Sequence, residues 1–326
     1  MFLRIFKGNT IVQIVILLIT IILLWLPAFS LSFPMPAPEL ITPAYGFTYN
    51  LFLHSPVWTI TIALILLMGG ALLLNTLLTD FGLTPRNSYL SAFIYIMLMS
   101  CSTNYLTIHP MLIINIMIMI LLRMIFLANQ RDDSLKEIFT SGIIAALCSL
   151  FAFKSAGLFF TVFLFLIILR IYSWRQWVAN LFGFITVYLY VFSWYLFTNQ
   201  LKPKLYLYKS VIQSIHLYHW SMHLTLYEYI LTAIILFLLL TSVISFLFNV
   251  SEKLINIRRI TLALLWLLIT TLASTIFYIT NPIFDFLYIL LPTSLMVILY
   301  LTNLKKSFFA ELLIIFILIA IVLSRV

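Results

Sequence analysis

The chain has 326 residues, 64% of them hydrophobic and only 8% charged, and its apolar residues lie in long blocks. Backbone groups in lipid must be satisfied internally, so such blocks can only be helices or a closed barrel; Thr10–Leu26 and Tyr229–Phe248 show none of the apolar–polar alternation of barrel strands, which leaves an all-α membrane protein. The formal charge of +9 does not point to nucleic acid as a partner, because the basic residues sit as short clusters between apolar blocks, where they set topology and meet anionic membrane lipids.

Crossing a hydrocarbon core about 30 Å thick takes roughly 20 apolar residues. The pattern predicts a polytopic transmembrane helical bundle of about 11 spans, at 10–28, 58–79, 89–104, 109–128, 138–153, 157–172, 177–198, 227–248, 261–280, 285–302 and 308–324, forming a single integral membrane domain over 1–326. Arg4 and Lys7 before the first run resemble a secretory signal peptide, but the run is long for one and reads as an uncleaved first helix. After it comes a long loop, 29–57, whose Pro34, Pro36, Pro38 and Pro43 forbid a continuous helix. Gly82 and Pro85 then make a tight turn in which Arg86 can pair with Asp80, and Arg131–Glu137 reads as a solvated turn into a helix start. Cys101 and Cys148 lie within apolar stretches and behave as small buried hydrophobes, with no disulfide framework or metal motif around them.

The second long loop, 199–226, is amphipathic: Val211, Ile215, Tyr218 and Met222 form one helical stripe, with Lys209, Gln213, His216 and His223 on a more polar side. Tyr206, Tyr208, Trp220, Tyr227 and Tyr229 suit the headgroup level, so the expectation is a helix lying in the outer interface. No internal repeat is visible, which weakens a transporter built from inverted halves.

Orientation follows from the basic residues. With the N-terminus in the cytoplasm, Arg4, Lys7, Arg86, Arg123, Arg131, Lys136, Arg170, Arg175, Lys253, Arg258, Arg259, Lys305 and Lys306 fall inside, and Lys154, Lys202, Lys204, Lys209 and Arg325 fall outside. Both long loops then lie on the outer face.

Few ionised groups remain that could carry chemistry there. Glu39 is the only acid of the first loop, and a carboxylate beside the membrane can act as a general base, hold a divalent cation, or simply stay solvated. Asp285 follows Asn281 and Pro282 at a span mouth, where it either assists such a site or stays wet and caps its helix. Lys154 separates two short apolar runs; it can meet a lipid phosphate as a point charge or snorkel to the interface without a partner. Lys209 and His216 form a second set for a phosphate group. His216, His219 and His223 have no carboxylate at the intervening positions, so a zincin-type metal site is not expected.

The stretches Asn75–Ala92, Leu135–Phe151 and Ile168–Trp177 resemble an uncharacterised family of polytopic inner-membrane proteins of Bacteroidota. More distantly, the order of Glu39, the turn at Arg86, and the helix from Gly142 to Lys154 is similar to polyprenyl-phosphate-sugar glycosyltransferases of the GT-C class. That resemblance implies a GT-C-like fold in the cell inner membrane and transfer of a sugar from a polyprenyl phosphate at the periplasmic face. Glu39 and Asp285 would be catalytic, and Lys154, Lys209 and His216 would bind the lipid phosphate. The chain departs from the class in having a lone Glu39 where an acidic pair is usual, and in lacking a large outer domain after its last helix. The alternative is a non-catalytic accessory subunit of an inner-membrane protein-export or envelope-biogenesis complex, with protein partners along its aromatic spans.

Overall fold

The computed structural model describes residues 10–30, 35–38, 41–52, 55–85, 88–131, 134–213, 226–249, 254–278, 282–304 and 307–323. Among them every regular element is helical: α1 (Thr10–Ser30), α2 (Pro43–Phe52), α3 (Pro56–Asp80), α4 (Leu90–Met99), α5 (Pro110–Ala128), α6 (Leu135–Phe151), α7 (Gly157–Ile168), α8 (Trp174–Phe197), α9 (Leu201–Gln213), α10 (Leu226–Asn249), α11 (Ile255–Phe277), α12 (Pro282–Asn303) and α13 (Ser307–Leu323), with 3-10 turns at Thr103–Tyr105 and Phe153–Ala156. Seven of these helices, α1, α3, α5, α8, α10, α11 and α12, are long and apolar enough to cross a membrane. The chain is a multi-pass helical membrane protein. The remaining apolar segments form the shorter helices α4, α6, α7 and α13.

Polar contacts at the helix ends sort the bundle into two faces. On one, the Tyr89 amide donates to Gln13 Oε1 at 2.9 Å, Arg123 pairs with Asp80 at 3.1 Å, Asn129 Nδ2 donates to Asn256 Oδ1 at 2.9 Å, and Gln176 Nε2 donates to Ser134 Oγ at 2.7 Å. Arg131 and Glu137 pair there too. On the other, Trp25 Nε1 donates to Ser100 Oγ at 3.0 Å, Ser102 Oγ donates to Glu228 at 3.0 Å, and the rings of Phe153 and Tyr278 meet edge to face at 5.3 Å. Arg123, Arg131, Lys136, Arg170, Arg175, Arg258 and Arg259 all belong to the first face, called basic below.

Local rules explain several of the ends. α3 closes on Gly82 at φ +69°, and the Leu83 amide reaches back to the Leu78 carbonyl at 2.8 Å, satisfying a carbonyl the helix leaves open. α7 stops the same way on Arg170 at φ 62°, with Ile171 donating to Leu166 at 2.8 Å. α5 starts at Pro110, suited to a first helical position, and His109 Nδ1 accepts the Leu112 amide at 3.1 Å.

Two of the expected spans are only partly helical. α4 has 10 residues, every one buried, and rises about 15 Å. The chain then covers Cys101–His109 as mostly buried backbone whose only regular turn is the 3-10 one at Thr103–Tyr105; membrane depth tolerates such backbone only where protein or a wet cavity surrounds it. α7 has 12 residues and rises about 18 Å from the basic face. The 3-10 turn Phe153–Ala156 before it adds about 8 Å, and α6 rises about 26 Å over its 17 residues, so the α6–α7 hairpin carries its tip close to the outer side of a core about 30 Å thick.

The first long loop is not wholly irregular. α1 runs on to Ser30 through Pro27, α2 forms within the loop and packs on α6, and α3 begins already at Pro56. In the second, α9 occupies Leu201–Gln213, earlier than the predicted stripe; residues 214–225, with Ile215, Tyr218 and Met222, lie outside the described set.

Candidate functional site at the outer end of the bundle

Lys154 sits in the 3-10 turn at the tip of the α6–α7 hairpin, and its ammonium pairs directly with Asp285 in the first turn of α12. Lys154 is 3% exposed and Asp285 5%. Neither of the bland expectations holds: Lys154 does not snorkel alone, and Asp285 is not a wet helix cap. Both groups are buried within the protein, so each needs an opposite charge in place of water, and α12 supplies the carboxylate for the lysine.

The surroundings hold the pair in place. Phe153 packs against Tyr278 beside it, a Cβ on Gly157 would touch Ser274 of α11 at 3.3 Å, and Ser155 Oγ donates to the Ala152 carbonyl at 2.7 Å. Just below Asp285, Asn115 Nδ2 of α5 donates to the Leu287 carbonyl at 3.4 Å, while Asn115 Oδ1 is buried without a hydrogen-bond partner. α6 is locked in turn against α8, because Gly142 and Gly183 let the two backbones approach until a methyl on either would overlap a carbonyl of the other helix.

The other sequence candidates reach this end of the molecule by different routes. Lys209 is exposed on α9. Its neighbour Tyr208 donates to the Ile41 carbonyl at 3.1 Å, and Tyr45 donates to the Pro36 carbonyl at 2.9 Å. Both flanks of Glu39 are thereby tied to the outer end, beside α9 and over α6 through α2. Glu39 itself and His216 lie outside the described residues. Asp80 pairs with Arg123 where Arg86 had been expected, and Arg86 is outside the described residues as well.

Sequence reasoning passed over Glu228. It lies in the first turn of α10, accepts from Ser102 Oγ, and stands close enough to Tyr105 to raise that phenol's pKa, after burial and together with Cys101. Tyr105 can therefore act there only as a neutral hydroxyl. The available signal was an acid opening an apolar run directly after an aromatic loop. At the same end, burial lowers the His109 imidazole to about 3, so it caps α5 in its neutral form. Among the described residues no group of three or more His, Cys, Asp or Glu side chains is arranged to hold a metal ion.

Chemically, the end offers a lysine already aimed by its counter-ion, a second carboxylate at Glu228, and the hydroxyls of Ser102 and Tyr105 beside that carboxylate. Set against protein-family models, curated proteins and solved structures, the chain matches none.

Proposed function

We propose that this protein handles a polyprenyl-phosphate-linked sugar at its outer face, on a GT-C-like plan of about 11 membrane-directed segments in the cell inner membrane. The observation that carries the reading is the Lys154–Asp285 pair. A buried ion pair is rarely kept for stability, since apolar residues of similar volume do as well or better, and ionised groups at membrane depth mark functional positions. A phosphate arriving from the lipid would take over the lysine that Asp285 holds in readiness. In the transfer itself, Glu39 accepts the proton of the acceptor hydroxyl, whose oxygen bonds to the anomeric carbon. The bond from that carbon to the phosphate oxygen breaks, and the polyprenyl phosphate departs with its charge met by Lys154 and, from the loop side, Lys209 and His216.

The test is transfer from a polyprenyl-phosphate-linked radiolabelled sugar by the full chain in proteoliposomes. Glu39→Gln should abolish transfer while leaving the chain folded; full activity in that variant overturns the catalytic assignment.

A second reading, a non-catalytic accessory subunit, draws on one observation. α8 is anchored mainly through its glycine face on α6 and leaves Tyr190, Trp194 and Phe197 exposed towards its outer end, a row suited to a partner's helix. Co-purification of a stoichiometric membrane partner, lost on Trp194→Ala with Phe197→Ala, would favour it over catalysis.

A further inference from the structure

At the opposite, basic face the structure contains a cavity of about 480 Å³ lined by Thr79, Asp80, Phe81, Arg123, Leu127 and Gln130. We propose that it binds the headgroup of an aminophospholipid, with the primary ammonium at Asp80 and the phosphate at Arg123.

Depth comes first. Asp80 is the last residue of α3, and Arg123 lies five residues before the end of α5, about 7–8 Å along a helix axis. The cavity thus spans the level between the end of the hydrocarbon core and the headgroups. Its lining matches a lipid at that level. Phe81, braced edge to face against Phe126 at 5.2 Å, and Leu127 give an apolar floor for the glycerol and first methylenes. Thr79 Oγ1 donates to the Asn75 carbonyl at 3.0 Å, which leaves its lone pairs as acceptors on the wall.

Charge then selects among headgroups. The lining carries one cation and one anion, 3.1 Å apart, with side chains 42% and 50% exposed. An exposed pair of this kind contributes little to stability, so a ligand bringing its own opposite charges can part the two and pair with both. A headgroup with a net negative charge would meet Arg123 but also face Asp80. A trimethylated ammonium has the right charge but no N–H to give to the carboxylate, and loses the charge-assisted hydrogen bond. Only a primary ammonium joined to a phosphate satisfies both ends.

The experiment is native mass spectrometry of the full chain in mild detergent with equimolar phosphatidylethanolamine, phosphatidylcholine and phosphatidylglycerol of matched acyl chains. Phosphatidylethanolamine should be retained about tenfold over each of the others, the factor expected from one charge-assisted hydrogen bond. Asp80→Asn should bring it down to the phosphatidylcholine level, and Arg123→Gln should weaken both. Gln130→Trp, which fills the cavity from its exposed rim and leaves the ion pair intact, should remove the preference in a folded chain. Free phosphoethanolamine at millimolar concentration should fail to compete, because it lacks the glycerol and acyl contacts; effective competition would show the site to be one for a soluble ligand. Equal retention of phosphatidylcholine, better retention of phosphatidylglycerol, or a preference that survives Gln130→Trp overturns the proposal.

Discussion

Cutting the Lys154–Asp285 pair from either side should destabilise the protein with opposite pH dependences. Both groups are nearly fully buried, at 3% and 5% exposure, so water cannot replace a missing partner. In Lys154→Met the orphaned carboxylate must either stay charged in a dry site or take up a proton. Protonating an ordinary aspartate of pKa about 3.9 costs about 4 kcal/mol at pH 7 and about 1.5 kcal/mol at pH 5. That ceiling falls within the roughly 3–5 kcal/mol seen when one member of a buried pair is removed. In Asp285→Asn the orphaned ammonium must lose its proton, at about 4.6 kcal/mol at pH 7 and about 2 kcal/mol at pH 9. The first variant should therefore recover towards acid and the second towards alkali. The double variant, Lys154→Met with Asp285→Leu, leaves no orphan and should stand within about 1–2 kcal/mol of the parent at every pH. Unfolding by sodium dodecyl sulfate in mixed micelles, followed by tryptophan fluorescence at pH 5, 7 and 9, measures all three. Single variants within about 1 kcal/mol of the parent throughout, or a double variant no more stable than the singles, would refute the buried pair.

Two further outcomes follow from the packing and the caps. Gly142→Leu and Gly183→Leu place a side chain where the partner helix has a backbone carbonyl, so each should cost about 1–3 kcal/mol or more; the same unfolding assay checks this, and parent-like midpoints would mean that α6 and α8 do not touch. His109 is neutral in the folded protein down to about pH 3, whereas unfolded histidine takes up a proton near pH 6.5. Its folded pKa is depressed, so acidification between those values favours the unfolded chain, by about 2 kcal/mol at pH 5. His109→Asn keeps a capping acceptor and should lose that acid-side slope relative to the parent; parallel stability curves would show that the imidazole is not buried neutral.

Much of the bundle is legible in its sequence, because in lipid a backbone has few choices. Blocks of apolar residues ended by Pro110, Gly82 or a basic cluster gave helix positions close to those observed, as with 109–128 against Pro110–Ala128 and 227–248 against Leu226–Asn249. Hydropathy could not foresee where a segment would stop being helical while remaining buried. The expected span 89–104 is helical only over Leu90–Met99, and residues 100–109 stay mostly buried without forming an α-helix, because neighbouring helices enclose them. Lys154 and Asp285 were each visible as rare charges, but 131 positions separate them. Their pairing depends on α12 packing against α11 beside the hairpin tip, a consequence of tertiary structure alone. The same holds for Asp80, whose nearby arginine in the chain suggested a turn pair until the packing of α3 on α5 brought Arg123 to it. Composition and spacing thus determined the solvent and the helices, since those are local costs paid residue by residue. Which charge meets which was decided by the fold, because an ion pair forms wherever three-dimensional packing brings opposite charges into contact.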